Sequence, residues 1–234
     1  MRFERYESRF EAGIVLSRFL EKMNQDLALS IKQNPDNSFC FCIPNGGVPV
    51  AEGLCSQFNI KYDLLIVRKV KIPYNTEAGF GSVTTDGSVL LNDYLLPHLN
   101  LNQESINRSI EITKEEIRDR LKFYNFPENL KNRYAHINGK SLFLTDDGLA
   151  SGFTMLAAIR MLKKYHPERI YVVVPTASNR AEQLIKKEVD GLFCPHIPNT
   201  WSFAVANAYK HWYDVPEKEV KEIIEKSGYY IREY

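Results

Sequence analysis

Apolar and polar positions alternate along this chain in a repeating series. In residues 11–32 apolar side chains recur at Ile14, Val15, Phe19, Leu20, Met23, Leu27 and Ile31, a helical period that predicts one amphipathic helix ended by Asn34-Pro35-Asp36-Asn37. Residues 38–43 read as a buried strand, after which Pro44-Asn45-Gly46-Gly47 turns the chain into a second helix reaching about Phe58. A strand over 62–67 then delivers Arg68, Lys69 and Lys71 at its carboxyl end. Residues 72–78 predict a loop, and 79–84 with 88–92 flank Thr85-Asp86-Gly87 as a hairpin, so that the loop rises before it as a flap. Residues 103–124 predict a strongly charged helix with Ile106, Ile110, Ile117 and Leu121 on its apolar side and its charges on a solvated face. Then come a strand at 142–144, a helix over 153–165, a β-branched strand over 170–174, a helix from Asn179 to before Val189, a strand over 189–194 and a last helix over 217–226. This alternation predicts an α/β fold, a mainly parallel central sheet with helices on both faces.

Composition adds limits. The 234 residues, 44% hydrophobic and 25% charged, can bury a sizeable core and are most simply one domain, a core over about 11–194 followed by an aromatic-rich segment over about 195–234. A net charge of +1 lacks the basic excess of nucleic-acid binders. Cys40, Cys42, Cys55 and Cys194 include no CxxC pair, and Cys40 and Cys42 sit in an apolar run where they pack as small hydrophobes. The charged beginning has no apolar leader-like stretch and no window has the apolar length of a membrane span, so the expectation is a reducing cytoplasm without a membrane partner.

The chemistry concentrates in residues 141–154, SLFLTDDGLASGFT. A strand leads into two carboxylates, Asp146 and Asp147, then a small-residue turn containing Gly148, Ala150, Ser151 and Gly152, and then a helix start at Phe153 and Thr154. Small residues let backbone amides approach an oxyanion at a helix N-terminus, and Ser151 and Thr154 add hydroxyl donors. Carboxylates would repel that anion, so they accept from sugar hydroxyls or lie near a cation. A sugar phosphate satisfies both halves, and both acids are expected to face solvent in an empty site. The turn at 44–47 is a second anion-friendly element, although taken alone a tight strand-to-helix turn is the better explanation, and the cations at 68–71 stand where α/β sheets bind ligands. Trp201, Phe203, Tyr209, Trp212 and Tyr213 either stack on a planar base or close a core or an oligomer interface. There is no GKT or GKS of a P-loop, and GLASG lacks the GxGxxG spacing.

The run LFLTDDGLASGFTM resembles the phosphoribosyl pyrophosphate (PRPP) signature of type I phosphoribosyltransferases, and CIPNGGVPVA, DLLIVRKV, NTEAGFGSVTTDG and FAVANAYKHWY are similar to further landmarks of that family, in order over about residues 11–224. The resemblance implies that fold, with a flap hairpin and a small aromatic-rich C-terminal hood. It implies that Asp146 and Asp147 bind the ribose 2- and 3-hydroxyls, that Gly148 and residues Ala150, Ser151, Gly152, Phe153 and Thr154 hold the 5-phosphate, and that Pro44, Asn45, Gly46 and Gly47 form the pyrophosphate loop beside Arg68 and Lys69. Residues 71–80 would be the flap. Magnesium would reach the site on PRPP, with few direct protein ligands beyond Asp146 and Asp147. Two departures stand out. Asn45 occupies a position where relatives carry a cation, and Ser151 and Phe153 replace the usual Thr and a small residue.

The function implied is transfer of a phosphoribosyl group from PRPP to a nitrogen acceptor such as a nucleobase, with release of pyrophosphate. Asp146, Asp147 and Lys69 are the candidate catalytic residues, Asp147 also as a base, and Trp201, Phe203, Trp212 and Tyr213 the candidates for stacking on the acceptor. A non-catalytic module that binds PRPP or a nucleotide is the alternative, favoured by Asn45; a receiver-like acidic cluster would place its acids after an early strand. The aromatic tail and the first helix also make a homodimer an expectation.

Overall fold

The computed structural model describes residues 3–126, 133–200 and 202–232. Five short strands form one parallel sheet in the order β2 (Lys61–Leu64), β1 (Ser38–Cys42), β6 (Ser141–Thr145), β7 (Arg169–Val173), β8 (Gly191–Phe193). Their side chains alternate between two apolar layers, as the two-residue period of a strand requires. Phe39, Phe41, Leu142, Leu144, Ile170 and Val172 face one layer, and Cys40, Cys42, Phe143 and Val173 face the other. Helices α5 (Phe153–Lys163) and α6 (Asn179–Lys186) cover the first layer; α1 (Arg9–Met23), α2 (Gln25–Gln33), α3 (Gly47–Phe58) and α7 (Glu217–Lys226) cover the second. The predicted parallel, doubly covered sheet is therefore present.

The 11–32 segment is two helices rather than one. Asn24 interrupts it with a non-helical backbone, and its side chain accepts from Leu27 N at 3.0 Å to cap α2. Helix α1 lies unusually close to α3. A Cβ on Gly13 would stand 2.1 Å from Val50 O, and one on Gly53 would stand 2.1 Å from Phe10 O. Only glycine at both positions permits that spacing.

The expected strand over 62–67 also divides. The parallel strand β2 ends at Leu64, and the chain leaves the sheet to open a second, antiparallel one with β3 (Val67–Ile72), β4 (Asn75–Thr84) and β5 (Val89–Leu91). The predicted irregular loop over 72–78 is mostly strand, because β4 pairs back along β3 almost to its turn at Pro73 and Tyr74. The long charged helix α4 (Gln103–Phe123) packs on one face of this sheet and α5 on the other. No helix among the described residues is long and apolar enough to cross a membrane.

Candidate functional site

The carboxyl ends of β1 and β6 point to the same place, since the two strands are adjacent and parallel. The turn after β1 brings Asn45, Gly46 and Gly47 beside the acids that follow β6. Gly46 must lack a side chain: a Cβ there would lie 2.0 Å from Asp147 Oδ2. Gly47, the first residue of α3, would set a Cβ 3.1 Å from both Asp146 Cα and Thr145 O. The two turns therefore interlock through glycine, which a tight strand-to-helix turn alone would not need.

Asp146 and Asp147 are half-buried rather than fully open to solvent as expected, and Asp147 lines the cavity described below. Asp146 Oδ1 accepts from Asp147 N at 2.8 Å, and Asp147 Oδ2 accepts from Arg9 Nε at 2.9 Å in an ion pair whose side chains are 16% and 5% exposed. Burial, and after it the charge of Asp147, holds the Asp146 carboxyl well above the usual carboxylate range. Burial also raises Asp147, against the pull of Arg9. Tyr209 OH donates to Asp147 O at 2.6 Å, clamping the backbone of the acidic pair.

The loop that follows is braced from the segment between β7 and α6. Leu149 N donates to Thr176 O at 2.9 Å, Ser178 N to Leu149 O at 2.9 Å, and Ser178 Oγ to Ala150 O at 2.6 Å. Gly148 packs against Thr176 and Val205, where a Cβ would clash at 2.8 and 2.6 Å. Gly152 holds φ +74°, a left-handed conformation suited to glycine, and Ser151 Oγ accepts from Phe153 N at 3.3 Å at the start of α5. Ala150 and Ser151 are exposed; Thr154 and Phe153 are half-buried, and the Phe153 ring packs on the apolar layer over the sheet.

Above Asp147 lies an open cavity of about 380 Å³ lined by Arg9, Asn45, Gly46, Arg68, Arg120, Asp147, Val205, Trp212, Asp214 and Val215. Three guanidinium groups share it. Arg9 belongs to α1, Arg68 to β3 and Arg120 to α4, and of these only Arg68 was legible as a site residue. Arg120 Nη1 donates to Asn45 Oδ1 at 2.9 Å, and its Nη2 lies 2.9 Å from Glu217. The charges of α4 are therefore only partly a solvated face. Glu116, one turn earlier, pairs with Arg68 at 3.7 Å and Lys71 at 3.0 Å.

Other predicted residues fall elsewhere. Lys69 is exposed, donates from Nζ to Glu77 O within the β3–β4 hairpin, and does not line the cavity. Trp201 lies outside the described residues, and Phe203 is half-buried. Trp212 reaches the cavity with 39% of its surface exposed, and Arg9 stacks over its ring at 4.2 Å. Tyr213 lies 5.3 Å from the same guanidinium but donates its hydroxyl to Glu219 at 2.7 Å and lines a neighbouring apolar cavity of about 440 Å³. Two of the rings proposed for stacking, Trp212 and Tyr213, thus already face the Arg9 guanidinium, Trp212 the more closely. Arg9 itself carried no sequence signal beyond its place after the helix-capping Ser8.

Fold and site together define an α/β protein with a two-signed pocket at the carboxyl edge of its sheet, lined by Asp147 and Asp214 and by three guanidinium groups. The model of the phosphoribosyl transferase domain family matches residues 11–210, and the chain belongs to that family. It is 25% identical over 190 residues to the Mycobacterium tuberculosis protein named "Putative phosphoribosyl transferase Rv0571c" and equally to its strain CDC 1551 counterpart MT0597, covering 79% of this chain. It spans about two fifths (41%) of the length of those curated relatives. The crystal structure of TT1426 from Thermus thermophilus superposes with a TM-score of 0.70 at 26% identity, covering 96% of this chain and all of that one.

Proposed function

We propose that the chain binds PRPP with magnesium and transfers its phosphoribosyl group to a nitrogen acceptor, releasing pyrophosphate. The observation that carries this reading is the cavity itself, in which Asp147 and three arginines meet beside the turn at Asn45 and Gly46. A phosphorylated, hydroxyl-bearing sugar with a pyrophosphate leaving group has the complementary charge and hydrogen-bonding pattern.

In this reading Asp146 and Asp147 accept from the ribose hydroxyls, and the 150–154 loop with the α5 N-terminus takes the 5-phosphate. The acceptor nitrogen's lone pair forms the new bond to the anomeric carbon as the bond to pyrophosphate breaks, and the electron pair leaves on a pyrophosphate oxygen. Positive charge builds on the sugar during the step. The acidic pair lies beside it and the guanidinium wall receives the negative leaving group, so both changes are met by fixed charges. The acceptor's proton passes to Asp147 or to water. Closure of the hairpin spanning 71–80 would exclude the water that hydrolyses an activated sugar. Among the described residues no group of three or more His, Cys, Asp or Glu is arranged to hold a metal. The two adjacent carboxylates suit magnesium, which keeps water and phosphate ligands and, when bound, neutralises charge on the pyrophosphate. Trp212, which lines the cavity, is the candidate in this reading to meet a planar acceptor.

Calorimetric titration with PRPP and magnesium, followed by an assay of pyrophosphate release across a panel of bases and amines, tests the proposal. Binding followed by release with at least one acceptor is expected. Tight binding with no release for any acceptor would establish a binding module instead.

A further inference from the structure

We propose that Arg120, carried by α4 and distant in sequence from the pyrophosphate turn, is the cation that holds the departing pyrophosphate in place of the one missing at position 45. The assignment rests on the phosphoribosyl reading above and deepens it.

The Asn45 side chain is fixed at both ends. Its Nδ2 donates to Val215 O at 2.7 Å, and its Oδ1 accepts from Arg120 Nη1 at 2.9 Å and from Tyr124 OH at 3.4 Å. A lysine or arginine at 45 has no acceptor to offer and would repel the incoming guanidinium. Asparagine at 45 and arginine at 120 therefore form a matched pair, in which the neutral residue orients the charged one. The missing charge re-enters the same cavity from another element.

The surrounding geometry points Arg120 towards a polyanion. Its side chain is 17% exposed and lines the cavity beside Arg68. Glu116, four residues earlier on the same helix face, pairs with Arg68 and Lys71 and so docks α4 against β3 with the two arginines on one wall. Two guanidinium groups held on one wall repel each other until an anion lies between them. Burial first, and then the charge of Arg120, lowers the pKa of Arg68, in keeping with that repulsion. Two N–H groups of Arg120 are taken up by Asn45 and by Glu217, whose side chain is 37% exposed at the start of α7. A planar fork with five donors can serve these and still grip a pyrophosphate oxygen.

The test measures binding of inorganic pyrophosphate with magnesium and, separately, of ribose 5-phosphate, to wild type, Arg120→Met and the double variant Arg120→Met with Asn45→Lys. Arg120→Met is expected to weaken pyrophosphate binding about 10- to 100-fold, the worth of one charge-assisted contact, and to leave ribose 5-phosphate within roughly twofold. The double variant is expected to recover most of the loss, because it returns a cation to the turn. If Arg120 merely props Asn45, lysine at 45 cannot restore the prop, and Arg120→Met weakens both ligands without rescue; that pattern overturns the proposal. Unchanged pyrophosphate affinity in Arg120→Met overturns it too. Wild type that binds ribose 5-phosphate but not pyrophosphate sinks this assignment alone, whereas wild type that binds neither sinks the phosphoribosyl reading with it.

Discussion

Replacing Gly46 with alanine isolates the contact between the two turns of the site. Gly46 has φ −63° and ψ −30°, a right-handed conformation that alanine adopts freely, so backbone strain is not the issue. Space is the issue. The added Cβ would lie 2.0 Å from Asp147 Oδ2 and 2.4 Å from its Cγ, against the 3.0 Å that real Cβ atoms keep, so the carboxylate must move by about 1 Å. Asp147 is short, its Oδ2 is held by Arg9 and its backbone carbonyl by Tyr209, so the movement breaks contacts. Losing a hydrogen bond to a charged carboxylate costs about 1.5–3 kcal/mol, so ribose 5-phosphate affinity should fall about 10- to 100-fold. Loss of the Arg9 pair should cost about 2–3 kcal/mol, under the roughly 3–5 kcal/mol of fully buried pairs because Asp147 keeps 16% exposure. At about 2–4 °C per kcal/mol for a chain of this size, the melting temperature should drop by about 4–12 °C. Calorimetry and thermal melting read the two effects, with Gly228→Ala as the control, since a Cβ there meets nothing within 4 Å. A Gly46→Ala protein that binds and melts like wild type would refute the interlock.

The acidic pair should also show in the pH dependence. Because the folded-state pKa values of Asp146 and Asp147 are raised above their unfolded values, their contribution favours folding at low pH and is lost as pH rises through the folded values. Hydroxyl-accepting carboxylates must be ionised, so ribose 5-phosphate affinity should decline on acidification with a midpoint above the ordinary carboxylate range, and Arg9→Met should move that midpoint higher still; a midpoint near 4 in both proteins would contradict this. Asp63 is fully buried and receives Arg133 Nε and Nη2 at 2.9 and 2.6 Å, so Asp63→Asn should cost about 3 kcal/mol or more and lower the melting temperature by roughly 6–12 °C, with a change under a degree counting against it. Lys69→Met, altering an exposed side chain outside the cavity, should leave pyrophosphate affinity within about twofold in the same titration; a tenfold loss would show that the hairpin carries Lys69 into the site.

The parallel sheet, the acidic pair and the loop after it were legible because each is written in local periodicity and turn chemistry. Leu142 and Leu144 alternate with Phe143 across β6, and small residues follow at once. Arg9 and Arg120 were not legible, because their partners lie 138 and 75 residues away and a lone arginine in a charged helix looks the same whether it meets solvent or Asn45. Lys69 was grouped with Arg68 by proximity in sequence. Both residues lie within β3 rather than past the end of a strand over 62–67, and on a strand neighbours point to opposite faces. The Asn24 break was hidden because the apolar period runs through it; its signal was the capping side chain rather than the pattern.

The close approach of α1 to α3 reaches beyond packing. Gly53 meets Phe10 O, the residue after Arg9, so the separation of two scaffold helices sets where the guanidinium stands over Asp147 and Trp212. The acidity of the Asp147 carboxylate is thereby geared to helix spacing. A single methyl at Gly53, which does not line the cavity, would act as an electrostatic substitution, withdrawing a positive charge from Asp147 without changing one charged residue.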